Sequence, residues 1–105
     1  MNENQFNQKL DELMMAIEDA IEEQELDIDY ETSAGILTLT CPNNSQIILS
    51  RQTPLLQLWL AAKSGGFHFD FDAGKGEWVC KGELLIEVLN RCLCDQCGTQ
   101  TTIEL

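Results

Sequence analysis

Between Leu10 and Ser50 the chain carries ten carboxylates and neither a lysine nor an arginine. They are Asp11, Glu12, Glu18, Asp19, Glu22, Glu23, Glu25, Asp27, Asp29 and Glu31. Carboxylate oxygens are hard ligands, suited to iron, manganese, calcium or magnesium. A broad anionic face also docks arginine-rich protein surfaces and speeds their encounter. No Asp-x-Asp-x-Asp-Gly loop is present. The pattern therefore implies weak binding at several positions rather than a tight preformed cage.

The spacing is locally unfavourable. At about 100° per residue, Asp11, Glu18 and Glu22 form one helical stripe and Glu12, Asp19 and Glu23 a second. Like charges four apart, as in Glu18/Glu22 and Asp19/Glu23, cost about 0.2–0.5 kcal/mol per pair. Acids in a last helical turn also oppose the helix dipole, at about 0.3–1 kcal/mol each when exposed. Asp27, Asp29 and Glu31 follow in alternation with Leu26, Ile28 and Tyr30, so one strand face is acidic and the other apolar. Helix end and strand face can merge into one anionic ridge. A solvated face that only keeps the protein soluble would use the same residue types. This run passes from helix to strand without a base, and a local rule broken repeatedly is where function is expected.

Other residues with chemical potential are fewer. Gln57, Trp59 and Ala61 share one face of a strand, and Leu58 and Leu60 share the other. The aliphatic pair is the better core candidate, which leaves Trp59 exposed as a binding anchor beside Gln57 and near Arg51. His68 is the only histidine, outward with Asp70 and Asp72 in an alternating aromatic strand. A histidine-rich metal site is excluded, and no nucleophile–His–acid spacing is present. Cys92-Leu93-Cys94-Asp95-Gln96-Cys97 contains a Cys-x-x-Cys, but near a helix C-terminus. A redox pair of that kind prefers a helix N-terminus, and a structural zinc needs a second ligand pair. Small apolar packing residues are the simpler reading.

The elements that must position these side chains follow from periodicity. Phe6, Leu10, Leu13, Met14, Ile17 and Ile21 make one apolar stripe, which predicts an amphipathic helix over about 4–24. Six strands are predicted over 26–31, 36–41, 46–50, 56–61, 67–71 and 77–80, with turns between them at Ser33–Gly35, Pro42–Ser45, Thr53-Pro54, Gly65-Gly66 and Asp72–Gly76. A second helix is predicted over 84–96, with Gly98 at its stop position and an extended tail beyond. Short connections imply an antiparallel sheet whose one face is covered by the two helices. The fold class expected is α+β, a two-layer sandwich in one domain spanning residues 1–105.

Composition narrows the function. The chain has 105 residues, 18 acidic and 6 basic side chains and a formal charge of −12. Nucleic-acid binding is not expected, because phosphate recognition needs a basic surface. The longest apolar runs are about five residues, far short of the ~20 of a membrane span. No basic start followed by an apolar stretch marks a secretory signal in residues 1–11. Five cysteines, an odd number, fit a reducing cytoplasm better than a secreted disulfide scaffold.

The stretch Arg51-Gln52-Thr53-Pro54-Leu55-Leu56-Gln57-Leu58-Trp59-Leu60-Ala61 resembles the central signature of the frataxin family, bacterial CyaY type. Gly65-Gly66-Phe67-His68-Phe69-Asp70 and Glu77-Trp78-Val79-Cys80 follow at matching spacings, and the acidic helix leading into an acidic strand is similar to the family's N-terminal half. The resemblance implies two roughly parallel helices on one face of an antiparallel sheet. It implies iron binding and control of iron–sulfur cluster assembly, without catalysis, by contact with the cysteine desulfurase and the cluster scaffold. By the same resemblance Glu18, Asp19, Glu22, Glu23, Glu25, Asp27, Asp29 and Glu31 match an iron-binding ridge that also meets a basic patch of the desulfurase. Arg51, Gln57 and Trp59 match the sheet surface used in the assembly complex, and His68 matches a position implicated in metal binding. The expected state is a cytoplasmic monomer that iron can drive into oligomers. An acidic protein-binding module without a metal role is the alternative.

Overall fold

The first helix starts where its cap chemistry allows. In the computed structural model, which describes residues 1–97 and 102–105, α1 spans Glu3–Glu23. The Asn2 side chain accepts from the Gln5 amide at 2.8 Å, and the Gln5 side chain accepts from the Asn2 amide at 3.1 Å. This reciprocal capping box satisfies two amides that no helical carbonyl can reach. The apolar stripe of Phe6, Leu10, Met14, Ile17 and Ile21 is buried as its spacing predicts.

A Schellman turn ends α1. Leu26 N bonds Ile21 O at 3.0 Å and Glu25 N bonds Glu22 O at 3.2 Å. Glu25 occupies the left-handed position with φ 52°, where glycine is the usual choice. That turn delays the first strand. β1 spans Asp29–Ser33 instead of starting at Leu26, although Ile28 is still buried. The inward/outward alternation is thus retained while its first residues serve as a linker.

Six more short elements build the sheet. β2 is Ile36–Thr40, β3 Gln46–Gln52, β4 Gln57–Ala62, β5 Gly65–Asp72, β6 Glu77–Cys80 and β7 Glu83–Leu84. A 3-10 turn at Thr53–Leu55 separates β3 from β4. Neighbours in sequence are neighbours in the sheet, in the order β1 to β7, and every pairing is antiparallel. The sequence predicts about six strands and the structure has seven. The addition is β7, which takes Leu84 from the predicted helix. Lys81 and Gly82 both have positive φ, 51° and 84°, the two-residue turn whose twist suits a hairpin.

α2 spans Leu85–Cys97. Leu85, Val88, Leu89, Cys92 and Leu93 join the α1 stripe and the sheet residues Leu37, Leu39, Ile47, Leu49, Leu58, Leu60 and Phe69 in one core. Trp78 is 4% exposed and meets Phe6 and Phe71 edge-on, with centroids 5.6 and 5.2 Å away. Arg91 donates to Glu83 at 2.5 Å, tying α2 to β7. This hydrogen bond holds the Glu83 carboxyl below its usual value.

The last helical turn is fastened in a way that spacing does not reveal. Cys97 forms a disulfide with Cys41, 56 positions earlier. Cys92 packs in the core, as read from sequence, but Cys97 does not serve as a packing thiol. The helix stop expected at Gly98 lies outside the described residues. Beyond it Ile103 is buried and exchanges two hydrogen bonds with the Asn90 side chain, at 2.7 and 3.0 Å. The Gln24 side chain does the same for Glu104, at 2.8 and 3.3 Å.

Candidate functional site

β1 is an edge strand, paired on one side only, with β2. Its pleat sends Tyr30 and Thr32 toward α1 and Asp29 and Glu31 toward the uncovered face of the sheet. Tyr30 donates its hydroxyl to Glu22, and Thr32 donates to Glu18. Two carboxylates of α1 are therefore aimed at the strand by hydroxyl donors rather than by cations. Asp19 and Glu23 stay exposed on the helix, Glu25 and Asp27 line the connection, and Asp29 and Glu31 continue around the edge. Glu18 and Glu22 thus lie on the helix side of β1, and Asp29 and Glu31 on its other side.

None of these eight is in an ion pair among the described residues. The pairs present are Lys9–Glu12 at 3.6 Å, Arg51–Asp11 and Arg91–Glu83. The concentration of charge is visible in Tyr30, whose hydroxyl pKa is pushed up to about 12. The hydrogen bond to Glu22 is the main cause; partial desolvation and the charges of Glu22, Glu18 and Asp19 add to it. A shallow groove runs beside it, lined by Glu22, Glu25 and Asp29 with Ile21, Leu26 and Ile28. Among the described residues no three His, Cys, Asp or Glu side chains are gathered as a ready metal cage.

The second predicted patch is on the open face of β4 and β5. Trp59 is opposite His68 and Gln57 opposite Asp70. The rings of Trp59 and His68 stack at 4.2 Å with an interplanar angle of 11°. Trp59 Nε1 donates to Gln57 Oε1 at 3.0 Å, and Gln57 Nε2 donates to Asp70 Oδ1 at 3.2 Å. The indole is half-buried rather than projecting freely, because the imidazole covers one of its faces. His68 lies four strand spacings from β1, roughly 19 Å at ~4.8 Å each, so it is not part of the acidic edge.

Arg51 does not join this patch. Its register partner is the buried Leu58, so its side chain faces α1. There it donates to Asn7 Oδ1 at 3.0 Å and pairs with Asp11. Sequence proximity to Trp59 conceals this, because adjacent strand positions point to opposite faces. Tyr30 and Thr32, which hold Glu22 and Glu18, carry no site role in the sequence reading. The available signal was a threonine at an inward position of an otherwise apolar strand face.

Three comparisons bear on this geometry. A family model described as Frataxin-like domain matches residues 1–99. The iron-sulfur cluster assembly protein CyaY of Azotobacter vinelandii is 48% identical over 102 residues, covering 95% of this chain and 93% of its own. That of Pseudomonas entomophila is 49% identical over 106 residues, covering 99% and 96%. Among solved structures, frataxin from Psychromonas ingrahamii superposes with a TM-score of 0.89 at 33% identity over the whole of both chains. Yeast frataxin does so at 0.61 and 27% identity, over 89% of this chain and 84% of its own. The α+β sandwich of two helices on an antiparallel sheet is the frataxin-like fold that these solved structures share. The chain belongs to the frataxin family, and within it to the bacterial CyaY type.

Proposed function

We propose that this chain is a non-enzymatic iron-handling partner of iron–sulfur cluster assembly. It takes up iron weakly and at several points along Glu18, Asp19, Glu22, Glu23, Glu25, Asp27, Asp29 and Glu31. The same border docks a basic patch of a cysteine desulfurase, and the Gln57–Trp59–His68 face meets the scaffold protein. His68 with Asp70 offers a separate, weaker point for a cation. Arg51 supports docking indirectly, by holding the start of α1 against β3. The working state is a monomer in the cytoplasm that iron drives into oligomers.

The observation that carries this reading is a set of eight carboxylates that, among the described residues, have no cationic partner and stand near the edge strand β1. Their oxygens suit iron as cargo to be passed on rather than as a resident ion, since exposed carboxylates bind and release readily. Support also comes from iron-sulfur cluster assembly proteins that are near half identical to this chain over nearly their full lengths. Titration with Fe²⁺, or Co²⁺ as a surrogate, followed by amide NMR, is expected to perturb residues 18–31 first. Silence there with scattered changes elsewhere rejects the metal assignment. Desulfurase binding is expected to weaken steeply between low and high salt; salt-insensitive binding rejects electrostatic docking.

A second reading is favoured by one observation, the absence of a gathered ligand cage among the described residues. On that reading the border only docks proteins. Desulfurase binding measured with and without a chelator separates the two, because pure docking gives the same affinity in both.

A further inference from the structure

The end of α2 is held by more bonds than a helix end requires. Gln96 is buried at 6% exposure, and both polar atoms of its side chain are bonded. Gln96 Oε1 accepts from the Lys63 amide at 2.7 Å, and Nε2 donates to Gln46 O at 3.1 Å. The Asn43 side chain donates to Gln96 O at 2.5 Å. Three separate segments, the 41–46 turn, the start of β3 and the β4–β5 turn, thus converge on one glutamine. The turn itself is closed by Cys41 N to Ser45 O at 2.8 Å and Asn44 N to Cys41 O at 2.9 Å. These bonds fix Cys41 and Cys97 with their Cα atoms 5.4 Å apart, inside the range a disulfide needs. They are independent of the sulfur–sulfur bond and keep the pair in place when it is open.

The two sulfurs differ in access. Cys41 is 2% exposed, whereas Cys97 is half-buried. A solution reagent therefore meets Cys97 first. We propose that Cys41 and Cys97 form a reversible redox clasp, a thiol–disulfide exchange site that a small-molecule disulfide closes and a thiol reopens. In closure the Cys97 thiolate attacks the reagent's disulfide, forming a mixed disulfide and expelling one thiolate. Cys41 then loses its proton and attacks the Cys97 sulfur, expelling the second thiolate. Two protein thiols are oxidised to one disulfide, and one reagent disulfide is reduced to two thiols. In a reducing compartment the open dithiol is the resting form, and the closed clasp is a response to oxidation.

The mechanical consequence follows from position. Ile103 is bonded to Asn90 of α2 and Glu104 to Gln24 at the end of α1. Opening the clasp lowers the free energy for local unfolding of the last turn of α2 and of this terminal strap. Gln24 directly follows α1 at the acidic border, so the redox state reaches the end of that border.

The experiment uses the full chain in two buffers, one with oxidised glutathione and one with dithiothreitol. Closure is expected to remove two hydrogen atoms in intact-mass spectra, with peptide mapping joining Cys41 to Cys97. Circular dichroism is expected to match in both buffers, while Tm falls by roughly 10 °C or more on reduction. Amide exchange at Ile103 and Glu104 is expected to quicken about tenfold. Cys97→Ser is expected to show one Tm in both buffers, and Cys94→Ser to keep the shift. A crosslink mapped to Cys92 or Cys94, a wild-type Tm unmoved by reduction, or loss of the folded spectrum on reduction overturns the clasp.

Discussion

The two ends of α1 treat the same residue types in opposite ways. Near its start, Asp11 is paired with Arg51 and Glu12 with Lys9. From Glu18 to the end of α1 no ion pair forms among the described residues, and the carboxylates of Glu18 and Glu22 are held by the hydroxyls of Thr32 and Tyr30. At the first end a charge fastens helix to sheet. At the second end hydroxyls fasten helix to strand and leave the negative charge intact. The difference teaches that the missing bases are not a shortage of basic residues. A cation from β3 meets the helix at its first end, and neutral hydroxyl donors take that place at the second.

The largest effect is expected at Arg51. Its side chain is 20% exposed, and truncation removes the bonds to Asn7 and Asp11. Arg51→Ala is expected to cost about 2 kcal/mol of stability in urea unfolding; a change within error would show that the first end is not a fastening. At the other end Tyr30 reports on the retained charge. Its absorbance titration near 295 nm is expected to centre near pH 12. In Glu22→Gln the midpoint should move back toward the ordinary ~10. Because the folded value is raised, the associated stability is complete below about pH 10 and is lost as pH climbs toward 12. An unshifted tyrosine would remove the bond to Glu22 from the account.

Smaller effects sharpen the contrast. Glu25→Gly relieves the left-handed strain and removes an acid from a helix end, and is expected to stabilise by about 0.5–1 kcal/mol. If Glu25 contributes to iron binding, that variant should at the same time weaken the NMR response to Co²⁺. Asp19→Asn or Glu23→Gln should each stabilise by about 0.3 kcal/mol, because each removes one like-charge neighbour. Thermal denaturation at low salt is the suitable measurement. Destabilisation by either substitution would assign the border a structural role instead.

The sequence carried most of the architecture. The apolar stripe of α1, the alternation through Tyr30 and the turn residues at Ala34-Gly35 all act locally, so periodicity reads them. Strand order follows, since each strand pairs with its sequence neighbour. Two features were not legible because they depend on which distant atoms meet. Arg51 turns to α1 because its pleat position opposes that of Trp59, and Cys97 meets Cys41 because the end of α2 settles over the 41–46 turn. The start of β1 slipped to Asp29 because a non-glycine residue, Glu25, takes the left-handed turn that usually announces itself as glycine. The acidic border itself was legible as a list of residues, but its division between two sides of a strand was not.

β1 leaves one row of backbone amides and carbonyls without a strand partner, a template onto which a second copy could add. Asp29 and Glu31 stand along that row with Glu18 and Glu22 behind it, so two such rows repel each other at neutral pH. On the proposed function, a cation that discharges the border would also unlock this seam, so self-association would be coupled to cargo loading. Light scattering should accordingly rise with bound metal, and rise more gently in a chain whose Asp29 and Glu31 are already amides.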